Sequence, residues 1–178
     1  MKTALYILSL VVLLIVLSLL GGLAGYRINL TASMPLGIWK KSTAIQVGSY
    51  VAACMPPDTP AAQVAMQRGY LPQGQCPGGF APLLKEVAAL PGGTVLLTDE
   101  AVSSNGIPLS NSRTQRTDSL GRPLPSFPRG SYHVLPGQYW LFATSHPNSF
   151  DSRYFGPVEE SSIVASLVPV LTFERPKR

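Results

Sequence analysis

The chain has 178 residues, among them 17 prolines and 16 glycines, with a formal net charge of +5. Roughly 150 residues follow an apolar start, enough for one domain with its own core, and so many turn-formers favour short strands over long helices. The basic residues are scattered, apart from Lys40-Lys41 and the C-terminal Arg175, Lys177 and Arg178. This argues against a nucleic-acid groove and fits a weak attraction to anionic lipid headgroups.

Residues 3–26 carry no charge. As a helix at ~1.5 Å per residue they extend about 36 Å, sufficient to cross a hydrocarbon layer of roughly 30 Å with some tilt. Residues 1–27 are therefore expected to be a membrane anchor and residues 28–178 the folded domain. Gly22-Leu23-Ala24 is a small-x-small sequence, so removal of the segment as a signal peptide stays open. Arg27, Lys40 and Lys41 beyond it run against the positive-inside rule.

Next comes Thr31-Ala32-Ser33-Met34-Pro35-Leu36-Gly37. Pro35 biases Met34 towards extended backbone, which sets Ser33 on a stiff, non-helical segment. Gly37 admits a tight turn or a close backbone approach. Ser33 lies within ~20 Å of Arg27, so a substrate presented at a membrane surface is within reach. A serine hydroxyl is a poor nucleophile until another group takes its proton. By itself the heptapeptide reads as a linker into the first strand.

Residues 38–40 and 47–53 are expected to be strands. Residues 56–79 read as an excursion from the sheet, with a short helix over 61–68. Cys54 and Cys76 stand at its base. In an exported domain such a pair more often bridges than stays free, and closing the loop contributes ~3 kcal/mol. Two cysteines with the distant His133 and His146 do not match metal-ligand spacing, and both histidines read as surface or hydrogen-bonded residues. No cofactor or metal is implied.

Residues 83–90 form an apolar strand interrupted by Lys85 and Glu86, and Pro91-Gly92-Gly93 ends it. A strand over 94–98 precedes a hairpin over 102–109 that turns at Asn105-Gly106. Residues 111–129 are polar and aperiodic, as expected of a surface loop or flap. Strands over 139–143 and 162–173 complete a mainly antiparallel β domain with an N-terminal helix. Lys85 can act as a base only if burial lowers its pKa, because an ordinary lysine is under ~1% neutral near pH 7–8. Leu83, Leu84, Val87 and Ala88 are the candidates to desolvate it, and strand alternation directs Glu86 to the opposite face.

Three motifs then occur in order: Ser33-Met34-Pro35, Lys85 to Gly92, and Ser149-Phe150-Asp151-Ser152-Arg153 running on to Val158. Together they resemble the signal-peptidase clan of Ser/Lys enzymes. The Ser-Met-Pro-x-Gly form and the short length are most similar to its TraF branch, the conjugative-transfer peptidases that mature pilin. The resemblance implies a signal-peptidase-like antiparallel β domain and acyl transfer, with Ser33 as nucleophile and Lys85 as general base. It implies oxyanion donors in the Ser33 N–H and the Thr31 hydroxyl, and a Ser149 that orients the lysine amine. Asp151 either holds Arg153 or takes part in activity. For Arg153 the simpler reading is a turn that braces the sheet.

Ser145-His146-Pro147-Asn148 replaces the usual Gly-Asp-Asn, and Gly93 stands where an acidic residue is usual. Both departures favour the TraF branch over a general type I signal peptidase. The implied partners are a pilin precursor, the membrane and the conjugation or type IV secretion machinery. The implied location is the bacterial inner membrane, with the catalytic domain in the periplasm. The acyl-enzyme acceptor, either water or the pilin's own amine closing a ring, is left open. From another class, a non-catalytic component of a pilus or secretion apparatus is the competing reading.

Overall fold

The computed structural model describes residues 2–29 and 35–173. The chain forms two compact units: one of residues up to Lys41 and from Val168 onward, the other Ser42–Leu167.

In the first unit, helix α1 (Lys2–Leu23) is apolar on every side, the pattern of a helix solvated by hydrocarbon. Among the described residues it is one helix long and apolar enough to cross a membrane. Strand β1 (Tyr26–Asn29) pairs antiparallel with β2 (Leu36–Ser42), Asn29 facing Gly37. The apolar run extends through Tyr26 and conceals β1 in the sequence. Asn29 Nδ2 and Trp39 Nε1 both donate to the Pro35 carbonyl, at 3.1 and 3.2 Å. Gly37 is the close approach its sequence suggested: at φ +142° any Cβ would strike the Leu171 carbonyl. Ser33 and Thr31 lie outside the described residues.

The second unit is built on strands β3 (Tyr50–Ala53) and β4 (Leu83–Ala89), with helix α2 (Pro60–Gln67) between them in sequence. Then come β5 (Thr94–Leu97), β6 (Val102–Ser104), β7 (Ile107–Pro108), β8 (Gly130–His133) and β9 (Gln138–Phe142). The short helix α3 (Ser152–Phe155), β10 (Val158–Glu159) and β11 (Ile163–Phe173) complete the order. Within this unit one antiparallel sheet runs β11-β3-β4-β9-β10 and a second runs β7-β6-β5-β8. The Asn105-Gly106 turn has φ of 49° and 79°, the left-handed pair that a two-residue hairpin turn needs. Strand β8 was hidden by the Pro- and Arg-rich residues before it.

The two faces of β4 bury different cores. Leu83 and Val87 join Val51, Leu141, Tyr154, Phe155 and the alanines of α2. A register shift between Val87 and Ala89 turns the strand, and Ala88 and Ala89 join Trp140, Phe142 and the β5–β6 valines. Helix α2 is capped by Thr59, whose Oγ1 accepts from Ala62 N at 3.2 Å. Cys54 and Cys76 are bridged, with Cα atoms 5.5 Å apart, and close the excursion that carries α2.

Residues 111–129 form a loop, as expected, but not a free flap. Ser112 and Thr114 are buried. The Asp118 carboxylate accepts from Arg68, Tyr70, Arg122 and the backbone N–H groups of Leu120 and Arg122, which ties the loop to the excursion. Phe127 packs edge-on against Trp140 at 5.5 Å between ring centroids. Gly156 leaves room for it, since a Cβ there would collide with the Phe127 ring.

Candidate active site

Lys85 sits mid-strand on β4, paired with Val51 of β3, and is only 6% exposed. Its face of the strand is shared with Leu83 and Val87, whereas alternation directs Leu84 and Ala88 to the other side. The apolar surroundings are thus two of the four expected neighbours, together with β3. Burial lowers the Lys85 pKa. The Asp151 charge opposes that shift and the Arg153 charge reinforces it. Lys85 Nζ donates to Ser149 Oγ at 2.8 Å.

Ser149 is buried and fixed from behind. Its carbonyl accepts from Arg153 Nη2 at 3.0 Å. Arg153 Nε and Nη2 grip the Asp151 carboxylate at 2.8 and 2.7 Å, a bidentate pair in which both residues are at most 1% exposed. Two charges removed from water this completely require a matched partner and filled hydrogen-bond positions. The filling is extensive. Arg153 Nη1 reaches the carbonyls of Asn111, Arg113 and Pro147 at 3.0, 2.8 and 3.3 Å. Asp151 also caps α3 through Arg153 N at 3.2 Å and accepts from Ala143 N at 3.2 Å.

Ser152, a motif residue whose role is not apparent from the sequence, accepts from Leu141 N at 2.9 Å. Beyond the two residues paired with β10, side chains meet the outer edge of β9 and the residue that follows it: Ser152 at Leu141 and Asp151 at Ala143. This stitches the Ser149–Arg153 segment to β9, next to β4. The spacing inside Ser-x-Asp-Ser-Arg was the available signal, since two of its polar side chains lie within one residue of each other.

The structure thus brings Lys85, Ser149, Asp151 and Arg153 into one buried chain of contacts. Asp151 holds Arg153, the first of its two expected roles, and Arg153 braces more than a turn. A lysine held this way, with its charge disfavoured and one hydroxyl contact, is suited to accepting and returning a proton.

A family model described as signal peptidase, peptidase S26, matches residues 1–171. The chain belongs to that family. As a member it is a serine peptidase of the signal-peptidase type. It is 42% identical over 160 residues to a conjugal transfer protein TraF of Agrobacterium fabrum, covering 88% of each chain. It is 40% identical over 152 residues to a plasmid transfer protein TraF of Escherichia coli, covering 85% of each. Among solved structures, a signal peptidase I from Enterococcus faecalis aligns at 22% identity and a TM-score of 0.38, over 71% of this chain and 98% of its own.

Proposed function

We propose that the chain is a membrane-anchored serine endopeptidase that matures a conjugative pilin precursor through a Ser33/Lys85 dyad. The observation that supports it best is the desolvated Lys85 amine on Ser149 Oγ. That the relatives are conjugal and plasmid transfer proteins supports a role in conjugation.

In this reading the Ser33 hydroxyl attacks the scissile carbonyl carbon while Lys85 Nζ takes its proton. The tetrahedral oxyanion is held by the Ser33 N–H and the Thr31 hydroxyl. The Lys85 ammonium then gives its proton to the departing amine, the C–N bond breaks, and an ester to Ser33 remains. An acceptor, deprotonated by the same amine, attacks that ester and frees the serine. Water gives a linear product, and the pilin's own N-terminal amine gives a ring.

Ser149, Asp151 and Arg153 position Lys85 rather than touch the substrate. Residues 1–27 anchor the chain in the inner membrane, and residues 28–178 form the peptidase domain in the periplasm. The Cys54–Cys76 bridge supports that compartment, because disulfides persist where the environment is oxidising.

A mating assay tests the reading. Donors carrying Ser33→Ala or Lys85→Ala in place of the wild-type chain are expected to lose plasmid transfer. Retained transfer in the Ser33→Ala donor would favour the non-catalytic component instead.

A further inference from the structure

Glu86 follows Lys85 on β4 and points to the other face of the sheet. Its Oε2 accepts from Thr144 Oγ1 at 2.9 Å. Among the described residues it has no salt-bridge partner. It stands in the wall of a cavity of about 150 Å³, whose remaining lining is largely apolar. A volume of ~150 Å³ accommodates a benzene ring in other proteins. Ala88 and Phe142 are buried at its base, while Val47 and Ile107, 55% and 69% exposed, stand where it meets solvent. Leu109 closes it from the end of the β6–β7 hairpin.

Glu86 is a half-buried carboxylate beside apolar walls, with one neutral hydrogen-bond partner and no cation paired with it among the described residues. Tyr50, its cross-strand neighbour on β3, registers that field: burial, and then the Glu86 charge, push the Tyr50 hydroxyl up to about 12. Such a site matches a ligand with an aliphatic stem and a cationic tip.

We propose that this cavity receives a lysine side chain from a protein partner, with the methylene stem against Ala88, Ile107, Leu109 and Phe142 and the ammonium on Glu86. Lysine fits better than arginine. A compact ammonium needs one free carboxylate oxygen, whereas a guanidinium fork asks for two side by side, and Thr144 already occupies Oε2. Because the cavity lies behind the strand that presents Lys85, the partner is held without covering the Lys85 face. The proposal does not depend on the dyad.

The test is an NMR titration of the isotopically labelled full chain in detergent micelles. The probes are Nα-acetyl-lysine N-methylamide and its norleucine and arginine counterparts. The lysine probe should give saturable shifts at the amides of Ala88, Phe142 and Thr144, with the other two binding more weakly. Glu86→Gln should weaken the lysine probe about tenfold or more, the range of a lost charge-assisted contact. Leu109→Trp, which fills the cavity and keeps the charge, should abolish the shifts. Equal binding of the norleucine probe, indifference to Glu86→Gln, or absence of saturable shifts at those amides would each overturn the proposal.

Discussion

Replacing Asp151 by asparagine separates two roles that a buried carboxylate beside a candidate base can play. The change removes one charge of a bidentate pair and leaves the Arg153 guanidinium, 1% exposed, without its counter-charge. Breaking a buried pair in this way costs ~3–5 kcal/mol. Asparagine keeps an acceptor for Ala143 N or the α3 cap, so the lower end applies, about 3 kcal/mol. For a chain of this size each kcal/mol moves Tm by ~2–4 °C, so a fall of roughly 6–12 °C is expected.

The same substitution acts on Lys85. The Asp151 charge raises the Lys85 pKa and the Arg153 charge lowers it, so losing the former lowers it further. The ascending limb of kcat/KM against pH should therefore move to lower pH. Thermal unfolding in micelles and peptide cleavage across pH provide both readouts. An unchanged Tm with cleavage abolished at every pH would refute the reasoning. Asp151 would then act on the reacting groups and not through Arg153. Arg153→Met with Asp151→Asn should cost less than the sum of the two single changes, because no unpaired charge remains.

Lys85→Met should raise stability at neutral pH while abolishing cleavage. A depressed folded-state pKa destabilises the native state by ~1.4 kcal/mol per unit at pH below that pKa. The penalty shrinks as pH rises and vanishes above the ordinary value of 10.5, so urea titrations should show the gain fading over that window. Ser149→Ala removes the hydroxyl held by Lys85 Nζ and should lower kcat/KM roughly 10–100-fold with little change in KM, partly restored by Ser149→Thr. Replacing both Cys54 and Cys76 by alanine opens the excursion loop and should cost ~3 kcal/mol in urea unfolding under non-reducing conditions.

Strands marked by a continuous apolar run or a specific turn were legible in the sequence. Strand β4 showed as an apolar run ended by Pro91-Gly92-Gly93, and the β6–β7 hairpin through its Asn-Gly turn. Strand β1 was concealed because the uncharged run of the anchor extends into its first residue, Tyr26. The register shift after Val87 was equally unreadable. It carries Ala88 and Ala89 together into the second core, which no strict alternation anticipates.

The resemblance to signal peptidases singled out Ser149, Asp151 and Arg153, but not the reach of Arg153. Its carbonyl partners at Asn111 and Arg113 lie about forty residues away in a stretch without periodicity. The polar composition of 111–129 suggested freedom. Asp118 and Arg153 instead fix that loop from two sides, since arginine donors and buried carboxylates satisfy backbone groups that a loop leaves open.

The most direct test of the Ser33/Lys85 dyad is intact-mass spectrometry of a pilin-type precursor incubated with membranes carrying wild type, Ser33→Ala or Lys85→Ala. The account predicts cleavage by wild type and an unprocessed precursor with either variant. A product lighter by one further water than the linear chain would identify the pilin amine as acceptor. Unchanged processing by either variant would contradict the dyad.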